Sequence, residues 1–186
     1  AASDLYKRQS QNSVYTVSQN SNNTFYRCIV TCNNISDTSS AVRVRINATD
    51  CYCIPTIQYS CNYSFINNFN INTLSSQNSY CNSAQGYTIY SPVNNFTTQL
   101  FTGAIYPFSI STNGGVIAIM IDLNNNGSFQ DADEILYSIS NYNTNFNGSI
   151  MIPDNQNYIG ERRMRVMLKY QYNIISAEDI CNPFNY

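Results

Sequence analysis

Residues Val116–Tyr137, VIAIMIDLNNNGSFQDADEILY, decide the fold. Val116–Ile121 is an unbroken apolar run with three Ile and one Val, the pattern of a strand covered on both faces. It passes directly into a polar segment. Oxygen-bearing side chains alternate there at Asp122, Asn124, Asn126 and Ser128, Gly127 follows the third of them, and Asp131, Asp133 and Glu134 close the segment. A calcium loop has this layout: side-chain oxygens at positions 1, 3 and 5, a carbonyl at 7 and a carboxylate at 12. Four carboxylates within thirteen residues repel one another unless a hard cation sits among them. Two features depart from the pattern. Position 12 is Asp133, with Glu134 one step late, and Asn124 and Asn126 stand where Asp is commoner, lowering the ligand charge. The same residues also suit an Asn/Gly-rich hairpin turn that binds nothing. Because β-type segments flank the loop, the expectation is a strand-loop-strand clamp holding structural Ca2+, not a helix-loop-helix sensor.

Working outward, 186 residues suffice for one mid-sized domain or for one domain and part of another. Charged residues are 11% of the chain and the formal net charge is −2, which gives no electrostatic case for nucleic acid or an anionic membrane. Asn supplies roughly one residue in six, interleaved with regular apolar positions, which favours folded structure over a low-complexity tract. No apolar run approaches the ~18 residues of a membrane span, so membrane insertion is not expected. The opening AASDLYKRQ has no signal-peptide core, so the sequence reads as mature or as a fragment.

Seven Cys and no His make a zinc site improbable and disulfides in an oxidising compartment the better reading, with one thiol left over. Cys28/Cys32 and Cys51/Cys53 each point to one face of a strand, so neither couple should close on itself.

Strands are expected at Ser13–Val17, Thr24–Thr31 and Ala41–Ile46, parted by Asn/Ser clusters, and Asn47–Cys53 reads as a linker. Beyond it, strands are expected around Phe65–Ile71, Tyr87–Tyr90, Thr97–Leu100, Phe108–Ser111, Val116–Asp122, Glu134–Ile139, Ser149–Ile152 and Arg162–Lys169. Turn signals every 8–12 residues then argue for a sandwich or jelly roll. Nothing is helical beyond one turn at Ala177–Ile180. The expected fold is all-β: an immunoglobulin-like partial sandwich over 1–50 followed by a jelly-roll-like antiparallel β-sandwich over 51–186.

Two resemblances carry this division. Phe25-Tyr26-Arg27-Cys28-Ile29-Val30-Thr31-Cys32 and Thr38-Ser39-Ser40-Ala41-Val42 resemble the closing strands of immunoglobulin-like repeats in large bacterial surface proteins. Such a repeat without its front half implies that the strand covering Tyr26, Cys28 and Val30 comes from elsewhere. From about residue 53 the chain resembles the GEVED-type domain of secreted Bacteroidetes proteins. The carrying residues are Cys53-Ile54-Pro55, Cys61, Phe65–Phe69, Cys81, the Ile121–Gly127 loop, Asp133-Glu134, Ile152-Pro153, Arg162–Val166 and Cys181. Met120 replaces the usual Trp, and the acidic segment that names the family would follow Tyr186. The resemblance implies an extracellular module of adhesins and secreted enzymes, with no catalytic activity of its own. The working disulfide assignment is Cys53–Cys181, Cys61–Cys81 and Cys32–Cys51, leaving Cys28 unpaired.

His-dependent catalysis is excluded by the absence of His, and no phosphate-binding Gly loop is present. Arg163 and Arg165 are expected on one strand face, paired across strands with Glu161, Asp154 or Glu178. Asn-x-Ser/Thr triplets occur at Asn22, Asn34, Asn47, Asn62, Asn95, Asn126 and Asn147. Their number is close to chance for this composition, but most fall in predicted loops or strand ends, where a glycan fits. Asn126 is claimed by both the glycan and the calcium reading. Sixteen Tyr and nine Phe either pair across strands or offer stacking platforms for sugars.

Two functions follow as expectations. The first is a non-enzymatic extracellular structural protein, a glycosylated filament or adhesin subunit whose copies join head-to-tail by β-strand complementation. The second is a carbohydrate-binding accessory module of a secreted enzyme or adhesin.

Overall fold

The computed structural model describes residues 24–44, 52–55, 64–79 and 86–182. The chain divides into two compact units, Ala1–Asn47 and Ala48–Tyr186. All regular structure described is β, apart from single 3-10 turns at Asn94–Phe96 and Gln156–Tyr158. The strand expected at 13–17 lies outside the described residues.

The first unit contributes a nested hairpin. Strand β1 (Thr24–Tyr26) pairs with β4 (Val42–Val44), and inside them β2 (Ile29–Cys32) pairs with β3 (Ile35–Thr38). The turn between β2 and β3 is Asn33-Asn34, both with positive φ (48° and 63°), the two-residue geometry that matches strand twist and that Asn tolerates. Ser39 splices the inner and outer ladders: its N–H donates to the Cys28 carbonyl and its Oγ accepts the Cys28 N–H, each at 2.9 Å. Strand β3 was not expected, because ISDT is too short and polar to show an alternation.

The second unit is built on β7 (Ile105–Ile121), a 17-residue strand. Its first half sits between β5 (Ile66–Ile71) and β9 (Asn143–Met151), with β6 (Leu74–Ser76) beyond β5. Its second half sits between β10 (Met164–Lys169) and β8 (Ile135–Ser138). Every pairing is antiparallel, and β7 thus passes from one sheet into a second. The passage occurs at Gly114-Gly115, both at positive φ, where the ladder to β9 shifts register. Inward-facing residues are even-numbered before it (Phe108, Ile110) and odd-numbered after it (Ile117, Ile119, Ile121). One inserted residue at the bend accounts for that switch.

The main core lies between these sheets and joins Phe69 and Ile71, Phe108 and Ile110, the odd residues of late β7, Leu123, Phe146, Ile150 and Ile152. A second cluster covers the other face of late β7. There Val116, Ala118 and Met120 meet Tyr52, Phe129, Met167, Ile175 and Ile180. The expectation of burial on both faces is met by two different cores, and Met120 occupies the second of them.

Five expected strands are corrected. The strands placed at 108–111 and 116–122 are one continuous β7. Residues 87–90 and 97–100 form no ladder. Tyr90 instead stacks on Phe96 with ring centroids 4.5 Å apart, Leu100 packs on the main core, and the Thr98 hydroxyl bonds Asn72 and Thr73. Strand β9 begins at Asn143, six residues before its expected start at Ser149. Asn residues alternating with Phe146 disguised it, since Asn is depleted in strands.

Candidate functional site

The loop from Asp122 to Glu134 connects the end of β7 to β8, so strands do flank it. The Ile121 N–H donates to the Glu134 carbonyl at 3.0 Å and closes its base. Phe129 anchors it from the middle, buried in the second core, stacked on Tyr52 at 4.6 Å and lying under the Arg165 guanidinium at 4.6 Å. Asn125 and Gly127 supply two left-handed backbone positions, at φ 60° and 83°.

Asp122 and Glu134 are wholly buried. Asp122 Oδ1 accepts the Asn126 N–H at 3.1 Å, while Oδ2 accepts the Tyr52 hydroxyl at 2.5 Å and the Gly127 N–H at 3.0 Å. Burial, reinforced by the hydrogen bond to Asp122, pushes the Tyr52 hydroxyl well above its usual pKa. Glu134 Oε1 accepts the N–H groups of Leu123 (2.9 Å) and Asn124 (3.3 Å). Its Oε2 has no hydrogen-bond partner. Burial, and after it the charges of Asp122 and Asp131, push the Glu134 carboxyl up to about 7, against the lowering effect of the Asn124 and Leu123 amides. Asp131 Oδ2 accepts the side-chain amides of both Asn124 and Asn126 at 2.8 Å. Asn126 Oδ1 accepts the Ser128 N–H at 2.8 Å, and Ser128 Oγ accepts the Gln130 N–H at 3.1 Å. Asp133 is exposed, and its carboxylate accepts the Tyr158 hydroxyl at 2.6 Å. The structure therefore gathers Asp122, Asn124, Asn126, Asp131 and Glu134 and turns Asp133 toward Tyr158. Among the described residues, no three His, Cys, Asp or Glu side chains stand together as a ready metal cage.

Sequence reasoning missed three residues that hold the loop. Tyr52 lies in what read as a linker. Arg162 Nε donates to the Leu123 carbonyl at 2.7 Å, with its other nitrogens on the carbonyls of Asn157, Ile159 and Glu161. Arg165 was expected on a surface strand face; it is half-buried instead, donating to the carbonyls of Cys53 (2.7 Å) and Ile180 (3.3 Å). Arg163 likewise reaches a carbonyl, that of Tyr90, at 3.2 Å. Backbone carbonyls, and not the expected acidic side chains, take these guanidinium donors because fork geometry suits the turns around the strand end.

Cys53 and Cys181 form a disulfide beside the second core, tying residues 128 apart in sequence. Cys28 and Cys32 are both free, exposed thiols, so Cys32 is not in the expected bond to Cys51. Cys51, Cys61 and Cys81 lie outside the described residues, as do Asn22, Asn47 and Asn62. Asn34, Asn95 and Asn147 are exposed, the first in the β2–β3 turn, the second in a 3-10 turn and the third within β9. Asn147 shares the outer face of its sheet with Asn68, Asn70, Ser109, Ser111 and Asn145, an uncharged polar trough. Among the described residues, no helix is long and apolar enough to cross a membrane.

The second unit is thus an antiparallel two-sheet β module with an acidic loop at the end of its central strand. More specifically, residues 116–186 match the model of the GEVED domain, a type associated with secreted and surface proteins. The match takes in the β7 end, the loop, β8–β10 and Cys181, and does not extend to residues 53–115 or to the hairpin unit. No curated protein and no solved structure matches the chain.

Proposed function

We propose that the chain is a non-enzymatic structural module of an extracellular surface assembly, joined to further copies by β-strand pairing along its 24–44 hairpin. One observation carries this reading. Phe25, Ile29, Val30, Ile35 and Val42 stand at 49–77% exposure on this two-stranded ribbon. A two-stranded ribbon is marginal in water, and apolar side chains beside an open edge are a template for a further strand. Among the described residues, β2 and β3 pair only with each other. The similarity of 116–186 to a surface-associated domain supports an extracellular setting, where exposed Asn34, Asn95 and Asn147 would be accessible to glycan attachment.

The test is size-exclusion chromatography with electron microscopy of the purified chain over a range of concentrations. Wild type should form head-to-tail oligomers, and Val30→Lys with Ile35→Lys should return it to monomer without changing the melting of the second unit. A wild-type chain that stays monomeric at every concentration sinks the reading.

A second reading, sugar binding, draws on one specific feature. Tyr142 contacts Tyr170 and Tyr172 at centroid distances of 5.6 and 5.0 Å, and Tyr172 is exposed. Exposed aromatic rings of this kind stack on sugar faces. Retention on immobilised polysaccharide that Tyr172→Ala abolishes would favour it.

A further inference from the structure

The loop holds an anomaly that its hydrogen bonding does not resolve. Glu134 is wholly buried, yet Oε2 has no donor or acceptor within hydrogen-bonding distance. Neither charge state of the carboxyl is satisfied there, because the ionised oxygen lacks a donor and a protonated one lacks an acceptor. Buried unsatisfied oxygens are costly and rare, and an absent ion is one physical cause.

The remaining loop oxygens converge on the same turn of chain. Asp122 Oδ1 and Asn124 Oδ1 face one amide, the Asn126 N–H, at 3.1 and 2.9 Å. The side chains of Asn124 and Asn126 meet at Asp131 Oδ2. Asn124 Oδ1 and Asn126 Oδ1 each accept a loop amide, those of Asn126 and Ser128, so the turn already fixes where these two oxygens stand. Glu134 is fixed to the start of the same turn through the Leu123 and Asn124 amides.

We infer that the loop binds a single Ca2+ through oxygens of Asp122, Asn124, Asn126, Asp131 and Glu134 with the Ser128 carbonyl, and that Glu134, not Asp133, is the closing carboxylate. Six protein oxygens with room for water suit Ca2+ better than Mg2+, which demands near-ideal octahedral geometry; because Asp122, Asp131 and Glu134 do not stand as a ready three-carboxylate cage, Asp131 turns inward on binding and releases the Asn124 and Asn126 side-chain amides it holds. The one-residue offset from position 12 is absorbed inside the loop, where the Glu134 N–H bonds the Asp131 carbonyl at 3.1 Å. Asp133 is thereby left outside, against Tyr158. Phe129, Tyr52 and Arg162 already fix the loop, so the ion locks a shaped segment and is a structural staple. The inference does not depend on assembly, because the loop lies within the second unit.

The chelator-treated full chain tests it. The chain has no Trp, and Tyr52 contacts Asp122 directly, so Tb3+ bound here is sensitised by tyrosine excitation. Wild type should show saturable Tb3+ luminescence, displaced by Ca2+ far more readily than by Mg2+, with Ca2+ raising Tm at around millimolar concentration, the range of extracellular modules. Glu134→Gln, which keeps the acceptor for Leu123, should lose the luminescence and the Ca2+-dependent Tm rise, whereas Asp133→Asn should keep both. Absence of a saturable wild-type signal, wild-type binding in Glu134→Gln, or loss in Asp133→Asn instead would overturn the assignment. Should Glu134→Gln fail to fold, the half-buried Asp131→Asn decides: at least about tenfold weaker binding is expected, and unchanged binding refutes the site.

Discussion

Arg165 illustrates what a single side chain does in this molecule. Its guanidinium bridges the carbonyls of Cys53 and Ile180 and covers the Phe129 ring, so it welds the two ends of the second unit to the loop. Burial pushes its pKa down, but an Arg keeps its charge through this and still satisfies the carbonyls. Lys has one donor head and cannot span both. Arg165→Lys should therefore cost about 2 kcal/mol, measured as a lower urea midpoint. A second residue-level expectation concerns acid. Burial would raise the Asp179 carboxyl, yet hydrogen bonds from Lys169 (2.6 Å) and Ser176 outweigh it and hold the pKa below the usual range. A carboxylate depressed on folding stabilises the protein above its unfolded pKa of about 4, and that contribution fades as pH falls further. Asp179→Asn should lower stability at neutral pH and flatten its dependence below about pH 4, as read by urea unfolding across pH. Neither role was legible in sequence, because a strand Arg next to acids has the same pattern whether it faces solvent or a buried carbonyl.

At the scale of elements, β7 is where the two sheets are made. Its apolar second half announced itself, since six consecutive buried positions permit no other reading. The bend did not, because Gly-Gly after Asn113 signals a turn as readily as a kinked strand. A Cβ on Gly115, at φ +151°, would stand 2.7 Å from the Lys169 carbonyl oxygen, a backbone atom that cannot yield. Gly115→Ala should thus destabilise by about 1–3 kcal/mol through strain at the sheet crossing. Ile119→Ala, in contrast, tests packing alone. Truncating a fully buried side chain of the main core should cost about 2–5 kcal/mol and lower Tm with the fold intact by circular dichroism. The loop was legible as a candidate ion clamp from its alternating oxygens. Its closing residue was not, since only the three-dimensional path decides whether Asp133 or Glu134 turns inward.

For the whole molecule, the Cys53–Cys181 bond closes nearly the entire second unit, over a separation of 128 residues. In the chain-entropy account a loop of that length contributes about 4–5 kcal/mol, so Cys53→Ser with Cys181→Ser should lower the urea midpoint substantially while Cys28→Ser with Cys32→Ser, at exposed free thiols, changes little. Sequence by itself determined the all-β class, the doubly covered central strand and the acidic loop after it, because these depend on local residue order: side-chain period, apolar run length and turn chemistry. Tertiary structure alone decided that one strand serves two sheets, that the arginines satisfy carbonyls, that Tyr52 braces Asp122 and that Glu134 is buried with an oxygen unmet. Those facts join residues up to 128 positions apart, and no local pattern encodes which distant groups burial will bring within hydrogen-bonding reach.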